Sequence, residues 1–289
     1  MCGRFTLTDP ADDIADVLGA DIDDGLAEGL PPRWNIAPGQ PILIAHKDDK
    51  APLAERRRRL SLMRWGLIPS WAKGDTLTRL AKQPLIHARC ETVAEKPSFR
   101  AAWRRRRGLV PANAFYEWRR VKSGVQPYRV TPAPHSSAHH FYLAALWETA
   151  YDADGGDYDT AALITCAAGP DIADIHHREP VIVPLNAVDA WLSDDETRAA
   201  DAAPVLHAAP PGFWRAARCS TAVNNAHNEG PALARTLQAF EDATINTDDA
   251  AQKSDAVHSS ADNSTTTSDK PAPEAQKNDT PIQGNLFTD

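Results

Sequence analysis

This sequence predicts an α+β body with a curved, mostly antiparallel β-sheet and short peripheral helices, followed by a disordered C-terminal tail. Three observations lead there. Short apolar or β-rich runs recur through the first 240 residues, each bounded by Gly, Pro or polar residues. No regular alternation of strand and helix signals occurs, which argues against a doubly wound parallel sheet. From Thr247 onward the chain is mostly Asp, Ala, Ser, Thr, Asn, Lys and Pro, with almost no large apolar side chain, so it cannot bury enough surface to offset its ordering entropy. The expected division is a body over residues 1–240 and an acidic tail over 241–289.

In chain order, Cys2 to Thr8 reads as an opening strand. Asp9-Pro10 then offers an N-cap and a first-turn proline for a short helix through Ile14, Val17 and Leu18. Pro41 to His46, Ser61 to Leu67, Gly108 to Trp118, Tyr128 to Thr131, Phe141 to Trp147 and Ala161 to Cys166 are the strand candidates. Helices are expected over Ser98 to Arg106, Asn186 to Trp191 and Pro231 to Phe240. No internal repeat is visible.

With 42% hydrophobic residues in 289, the chain can bury a real core. No apolar run reaches the roughly 18 residues of a membrane span, and Met1-Cys2-Gly3-Arg4 does not open a secretory signal, so a cytoplasmic protein is expected. Cys2, Cys90, Cys166 and Cys219 show no CxxC spacing, which excludes a sequence-evident disulfide scaffold or structural zinc site, and no metal is expected. The net charge of −8 hides an asymmetry, because residues 50–130 carry 20 Lys+Arg against 5 Asp+Glu. A basic segment in an acidic protein points to an anionic partner. The plainer alternative is that Arg56 to Arg59 and Arg104 to Arg107 are solvated element ends.

Cys2 is the first chemical candidate. With Met1 removed, its thiol and α-amine share one carbon framework, and an amine of pKa roughly 8 is partly nucleophilic at neutrality. Such an aminothiol can condense with an aldehyde to an imine and close a thiazolidine. Alternatively, the amine can serve as base for a thiol that attacks an acyl group, or Cys2 can be a small strand residue. Glu117, among Phe115, Tyr116 and Trp118, is either a desolvated carboxyl suited to proton transfer or an exposed strand glutamate. His176, beside His177 and Arg178, offers a proton shuttle or a surface imidazole. Arg64-Trp65 and Trp71-Ala72-Lys73 interleave aromatic faces with positive charge, as single-strand stacking platforms do, or are core tryptophans beside surface bases.

Seven segments share one pattern: Met1-Cys2-Gly3-Arg4-Phe5, Trp34-Asn35-Ile36-Ala37-Pro38-Gly39-Gln40, Arg64 to Trp71, Ala88-Arg89-Cys90-Glu91-Thr92, Phe115-Tyr116-Glu117-Trp118, His176 to Pro180 and Val223-Asn224-Asn225. In this order they resemble the SOS-response-associated peptidase (SRAP) family of abasic-site processing proteins, over roughly Met1 to Leu237. The resemblance implies an SRAP-like body whose Cys2 crosslinks covalently to the aldehyde of an abasic site in single-stranded DNA. It implies that Glu117 is the acid/base glutamate and His176 the catalytic histidine, and that Arg4 and Arg89 hold DNA phosphates. Asn35, Pro38, Trp65 and Trp71 would line the DNA channel, with no organic or metal cofactor. Autocatalytic peptidase and abasic-site lyase activities belong to the same implication.

Two positions depart from the family. His87 stands where Asn usually precedes Ala-Arg, and Glu179 replaces the Met of a His-x-Arg-Met-Pro motif. An imidazole titrates where an amide does not, so His87 is expected to add an acid-side pH dependence to crosslinking. Gln283, Leu286 and Phe287, near the end of the tail, resemble a short peptide that binds a replication sliding clamp. A monomer with no membrane contact is expected. The competing readings are an N-terminal-nucleophile cysteine amidohydrolase, whose glutaminase domains also begin Met-Cys-Gly, and a non-catalytic single-stranded DNA-binding module.

Overall fold

The computed structural model describes residues 2–26, 29–52, 55–122, 124–134, 140–151 and 156–237. Its architecture is two mostly antiparallel sheets with few short helices, the α+β class read from the sequence. The tail, including Gln283, Leu286 and Phe287, lies outside the described residues.

The first sheet runs β13 (Trp214–Arg218), β9 (Gly124–Pro132), β8 (Ala114–Val121), β1 (Arg4–Leu7) and β3 (Arg33–Ile36), all antiparallel. The second runs β12 (Arg178–Pro180), β11 (Asp157–Ala167), β10 (Phe141–Tyr151), β7 (Arg107–Ala112), β4 (Pro41–Lys47), β5 (Arg58–Trp65) and β2 (Ala20–Ile22), with β6 (His87–Arg89) alongside β11. A parallel pairing of β5 with β11, Thr160 opposite Arg64 and Ala161 opposite Trp65, closes strands β11, β10, β7, β4 and β5 into a ring. Closure removes two sheet edges, and the core packs on both faces of the ring, with Ile44, Ala145 and Leu163 on one and Leu60 and Leu109 on the other. β10 is buried from Phe141 through Ala150, so its apolar run is continuous rather than alternating, as expected of a strand covered on both faces.

Two glycines make the ring possible. A Cβ on Gly108 would sit 2.5 Å from Ile44 Cδ1, so β7 can approach β4 only without a side chain there. Gly66, at φ 141°, carries the chain out of β5 while its N–H bonds Ala161 O at 2.8 Å, and a Cβ would strike Pro84 at 2.6 Å.

Several local expectations change. Helix α1 (Ala11–Leu18) forms as read, but Pro10 occupies its N-cap with no side-chain cap. Asp9 is drawn elsewhere, accepting Asn113 Nδ2 at 2.9 Å and pairing with His140 at 2.8 Å. The run from Gly108 to Trp118 is two strands, because the chain passes from one sheet to the other at Asn113, whose N–H bonds Thr6 O at 2.8 Å. The helix expected from Pro231 is only a 3₁₀ turn, Pro231–Ala234, after which Thr236 bridges to Cys219. The helix expected over Asn186 to Trp191 is a 3₁₀ turn leading into α4 (Val188–Leu192), and that over Ser98 to Arg106 is α3 (Arg100–Arg105). Helix α2 (Gly74–Lys82) escaped the sequence reading because its sole buried residue is Leu80, too weak an apolar stripe to register.

Candidate active site

The residues with chemistry meet where β1 enters the first sheet. The register of β1 on β8 pairs Arg4 with Tyr116, which places the chain just before Arg4 beside Glu117. Cys2 is fully buried, and its thiol points toward Arg4 O at 3.8 Å. Burial and the neighbouring Glu117 carboxylate push that thiol well above its ordinary pKa. Glu117 itself is 1% exposed, and burial pushes its carboxyl up to about 7. Such a group exchanges protons at neutral pH.

β6 brings in His87. Its Nε2–H donates to Cys2 O at 2.8 Å, which leaves Nδ1 as a bare lone pair, buried and with no hydrogen-bond partner among the described residues. Burial pushes this imidazole down to about 4, with the positive charges of the N-terminal amine and Arg178 adding to the effect. His176 is held by the turn before β12, where its Nδ1 lies 3.0 Å from Arg178 N and 3.2 Å from Arg178 O. Burial lowers its pKa as well. The structure thus brings Cys2, Glu117, His87 and His176 together from four distant segments.

Around them the DNA-channel candidates divide. Arg89 and Pro38 are exposed at the end of β6 and in the turn after β3, and Trp71 is 51% exposed. Trp65 is fully buried: its Nε1–H bonds Ile86 O at 3.1 Å and its ring packs edge-on to Phe5 at 5.3 Å and His87 at 6.2 Å. No face of Trp65 is open to a base. It supports His87 and β1 from beneath. Asn35 is also fully buried, and its amide donates to Val223 O, Asn225 O and Asn228 O at 3.3, 3.0 and 3.0 Å. It staples the 223–228 segment in place. Arg4 reaches the same segment, donating to Asn35 Oδ1 at 2.9 Å, Val223 O at 2.8 Å and Asn224 O at 3.3 Å.

The long basic run has a different fate from the one its charge suggested. Arg56 pairs with Asp194, Arg58 with Asp189, Arg59 with Asp23 and Asp48, Arg105 with Glu196, and Arg106 with Asp49 and Glu148. Arg107 is buried and donates to the carbonyls of Trp191, Trp103, Arg104 and Ser193. These arginines serve the fold. They are neither a phosphate-binding run nor solvated element ends, because carboxylates from elsewhere in the chain pair with them and Arg107 is buried.

Two supports were not legible in advance. Arg178 forks onto Glu91 at 2.5 and 3.0 Å and reaches Thr165 O at 2.5 Å, joining the turn after β6 to β11. That pairing holds the Glu91 carboxyl down to about 2. Glu179, fully buried, accepts Ala209 N–H at 2.7 Å, Gly169 N–H at 2.8 Å and Trp214 Nε1–H at 3.4 Å. No sequence pattern announced these contacts. Only the departure from the family at Glu179 hinted that the position was unusual.

His87 also carries a corrected expectation. Its contact is the Cys2 carbonyl, and its low pKa moves any titration to about pH 4. The pH–rate profiles of wild type and His87→Asn are expected to superimpose above about pH 5.5 and to diverge only below it. Stopped-time crosslinking assays across that range check this.

No helix among the described residues is long and apolar enough to cross a membrane. Residues 1–226 match the family model described as SOS response associated peptidase (SRAP). The abasic site processing protein YoqW of Bacillus subtilis is 35% identical over 235 residues, covering 81% of this chain and 98% of that protein. The abasic site processing protein YedK of Escherichia coli is 28% identical, again over 81% of this chain and 98% of its own length. A solved structure from Bacteroides thetaiotaomicron superposes with a TM-score of 0.70 over 82% of this chain and all of that one, at 21% identity, which speaks for the fold. With its seven motifs in family order and three of their reactive side chains, Cys2, Glu117 and His176, gathered in one site, the chain belongs to the SRAP family.

Proposed function

We propose that this protein, after loss of Met1, traps abasic sites in single-stranded DNA as a covalent thiazolidine on Cys2. The carrying observation is the buried Glu117 carboxyl, with its pKa near 7, beside the Cys2 backbone. The freed α-amine attacks the aldehyde carbon of the ring-opened sugar to give a carbinolamine. Glu117, as the acid, protonates the departing hydroxyl, and water leaves to form an iminium. The Cys2 thiol then adds to the same carbon and surrenders its proton to the Glu117 carboxylate. Aldehyde and aminothiol thus become thiazolidine and one water. His176 donates to the sugar oxygen, while His87 fixes the Cys2 carbonyl so that amine and thiol face one way.

Arg4 and Arg89 hold flanking phosphates and Trp71 stacks a base in this reading. Removal of Met1 by the protein itself, strand cleavage at the lesion, and recruitment to a sliding clamp through Gln283, Leu286 and Phe287 are parts of the same proposal. The test is incubation with single-stranded DNA containing one abasic site, followed by a denaturing gel. A retarded band that survives heat and detergent, and is absent when the aldehyde is first reduced to an alcohol, is expected. No such band overturns the proposal. Glutamine hydrolysis without DNA would instead support the amidohydrolase alternative.

Glu117 sets the pH profile. The amine must be neutral (reference pKa roughly 8) and Glu117 protonated (pKa about 7), so the rate peaks near neutrality and falls on both sides. Glu117→Gln cannot donate the proton, so its rate drops about 100-fold and the alkaline decline set by the carboxyl disappears. Stability moves the other way. A carboxyl whose folded pKa lies above its ordinary value of 4.5 stabilises the fold fully below pH 4.5 and loses that stability as pH rises toward 7. Glu117→Gln is therefore expected to melt later than wild type at pH 8, by on the order of 3 kcal/mol, and equally at pH 4. Calorimetry at the two pH values checks the sign.

A further inference from the structure

Among the arginines and lysines of the central segment, those neutralised by carboxylates are distinct from those left open. Lys96, Arg100 and Arg104 are all exposed, and none enters an ion pair or side-chain hydrogen bond among the described residues. Arg100 and Arg104 share one side of α3, and Lys96 lies in the turn just before it. Lys96 O accepts the N–H of Arg100 at 2.9 Å across the turn that leads into α3, which carries Arg100 and Arg104. The i, i+4 spacing puts Arg100 and Arg104 about 6 Å apart on one side of α3. The opposite face, Phe99, Ala102 and Trp103, is buried and fixes which side looks outward.

Two further observations join this stripe to the site. The segment is continuous with Arg89, since successive turns link Thr92 N–H to Arg89 O at 3.1 Å and Lys96 N–H to Thr92 O at 3.0 Å. Trp71, half exposed, is pinned to the same segment by its Nε1–H on Pro97 O at 3.2 Å. A large aromatic face is thereby held still beside open positive charges, the combination that single strands bind. The acids nearby do not cancel the stripe: Glu91 is taken by Arg178 and Glu196 by Arg105, leaving exposed Glu95 against three bases and Arg89.

We infer that Lys96, Arg100 and Arg104, with the Trp71 ring, form a track for the phosphodiester backbone of single-stranded DNA outside the cleft that holds the lesion. The inference rests on the abasic-site reading and extends its DNA contact beyond the reacting nucleotide. Its role is affinity and hold, since no member of the stripe reaches the Cys2 site.

The test uses the full chain and lesion-free single strands read by fluorescence anisotropy across a salt series. One strand is long, and one is roughly 5 nucleotides, at the short end of what such grooves engage. Lys96→Gln/Arg100→Gln/Arg104→Gln is expected to bind the long strand about tenfold more weakly, with a salt slope shallower by about 2, since each lost contact removes roughly 0.7. Binding of the short strand, and the crosslinking rate at saturating long DNA containing an abasic site, are expected to match wild type, which also shows that the variant folds. Arg105→Gln, next in sequence but already paired with Glu196, is expected to leave long-strand affinity unchanged. Long-strand affinity and slope equal to wild type in the triple variant overturn the track while crosslinking stands. A wild-type protein that binds neither strand and forms no crosslink overturns both readings.

Discussion

Cys2→Ala is expected to abolish the denaturation-stable DNA adduct while leaving the fold and reversible DNA binding in place. A thiazolidine needs nitrogen and sulfur bonded to one carbon, and alanine supplies only the nitrogen. The imine it forms hydrolyses when the protein is denatured. Cys2→Ser supplies a poorer nucleophile and gives at most a labile product. The side chain removed is small and buried against Arg4 O by only a weak thiol contact at 3.8 Å, so little packing is lost. Denaturing gels of the wild type and both variants, run with anisotropy on a lesion-free strand, separate chemistry from binding. A heat-stable adduct formed equally well by Cys2→Ala would refute the aminothiol mechanism.

The largest effect on stability is expected at Glu179, and it comes from restoring the residue that the family pattern carries there. Glu179→Met removes the acceptor shared by Gly169 N–H, Ala209 N–H and Trp214 Nε1–H, which methionine's thioether cannot replace. A buried donor left unpaired costs about 1–3 kcal/mol, so the three together cost on the order of 4 kcal/mol, and the melting temperature falls by roughly 10 °C. Asp171 cannot compensate, because its carboxylate already holds Gly212 N–H and Trp214 N–H, both at 3.0 Å. Glu179→Gln keeps one acceptor but turns its amide hydrogens on a donor, so an intermediate loss is expected. The turn that carries His176 starts from Gly169, whose carbonyl accepts Ile172 N–H at 3.2 Å, and Ile172 O in turn accepts His176 N–H at 3.0 Å. Loosening Gly169 is therefore expected to slow crosslinking as well. Calorimetry decides the matter: a melting temperature for Glu179→Met within about 2 °C of wild type is the outcome that contradicts this role.

The sequence by itself determined the α+β class, the main strands and the family, because strand periodicity, turn residues and motif order are local properties. It also named the reactive groups, since an aminothiol, a carboxyl among aromatics and an imidazole have chemistry wherever they are placed. Tertiary structure decided what each of them does. Trp65 and Trp71 stand six positions apart in similar surroundings, yet one is sealed beneath His87 and the other is half exposed. Arg56, Arg58 and Arg59 look like a phosphate-binding run, but they pair with nearby Asp48 and with Asp23, Asp189 and Asp194, which lie far away along the chain. Asn35 reads as a polar channel residue and is instead a buried staple for carbonyls nearly two hundred residues on. His87 keeps its identity but loses its expected titration, because burial moves it to about pH 4. Burial, charge pairing and hydrogen-bond satisfaction depend on which segments the closed ring of strands brings side by side, and β5 meets β11 across roughly a hundred intervening residues. A side chain's neighbours at that range are set by topology, and its pKa, exposure and partners follow from them.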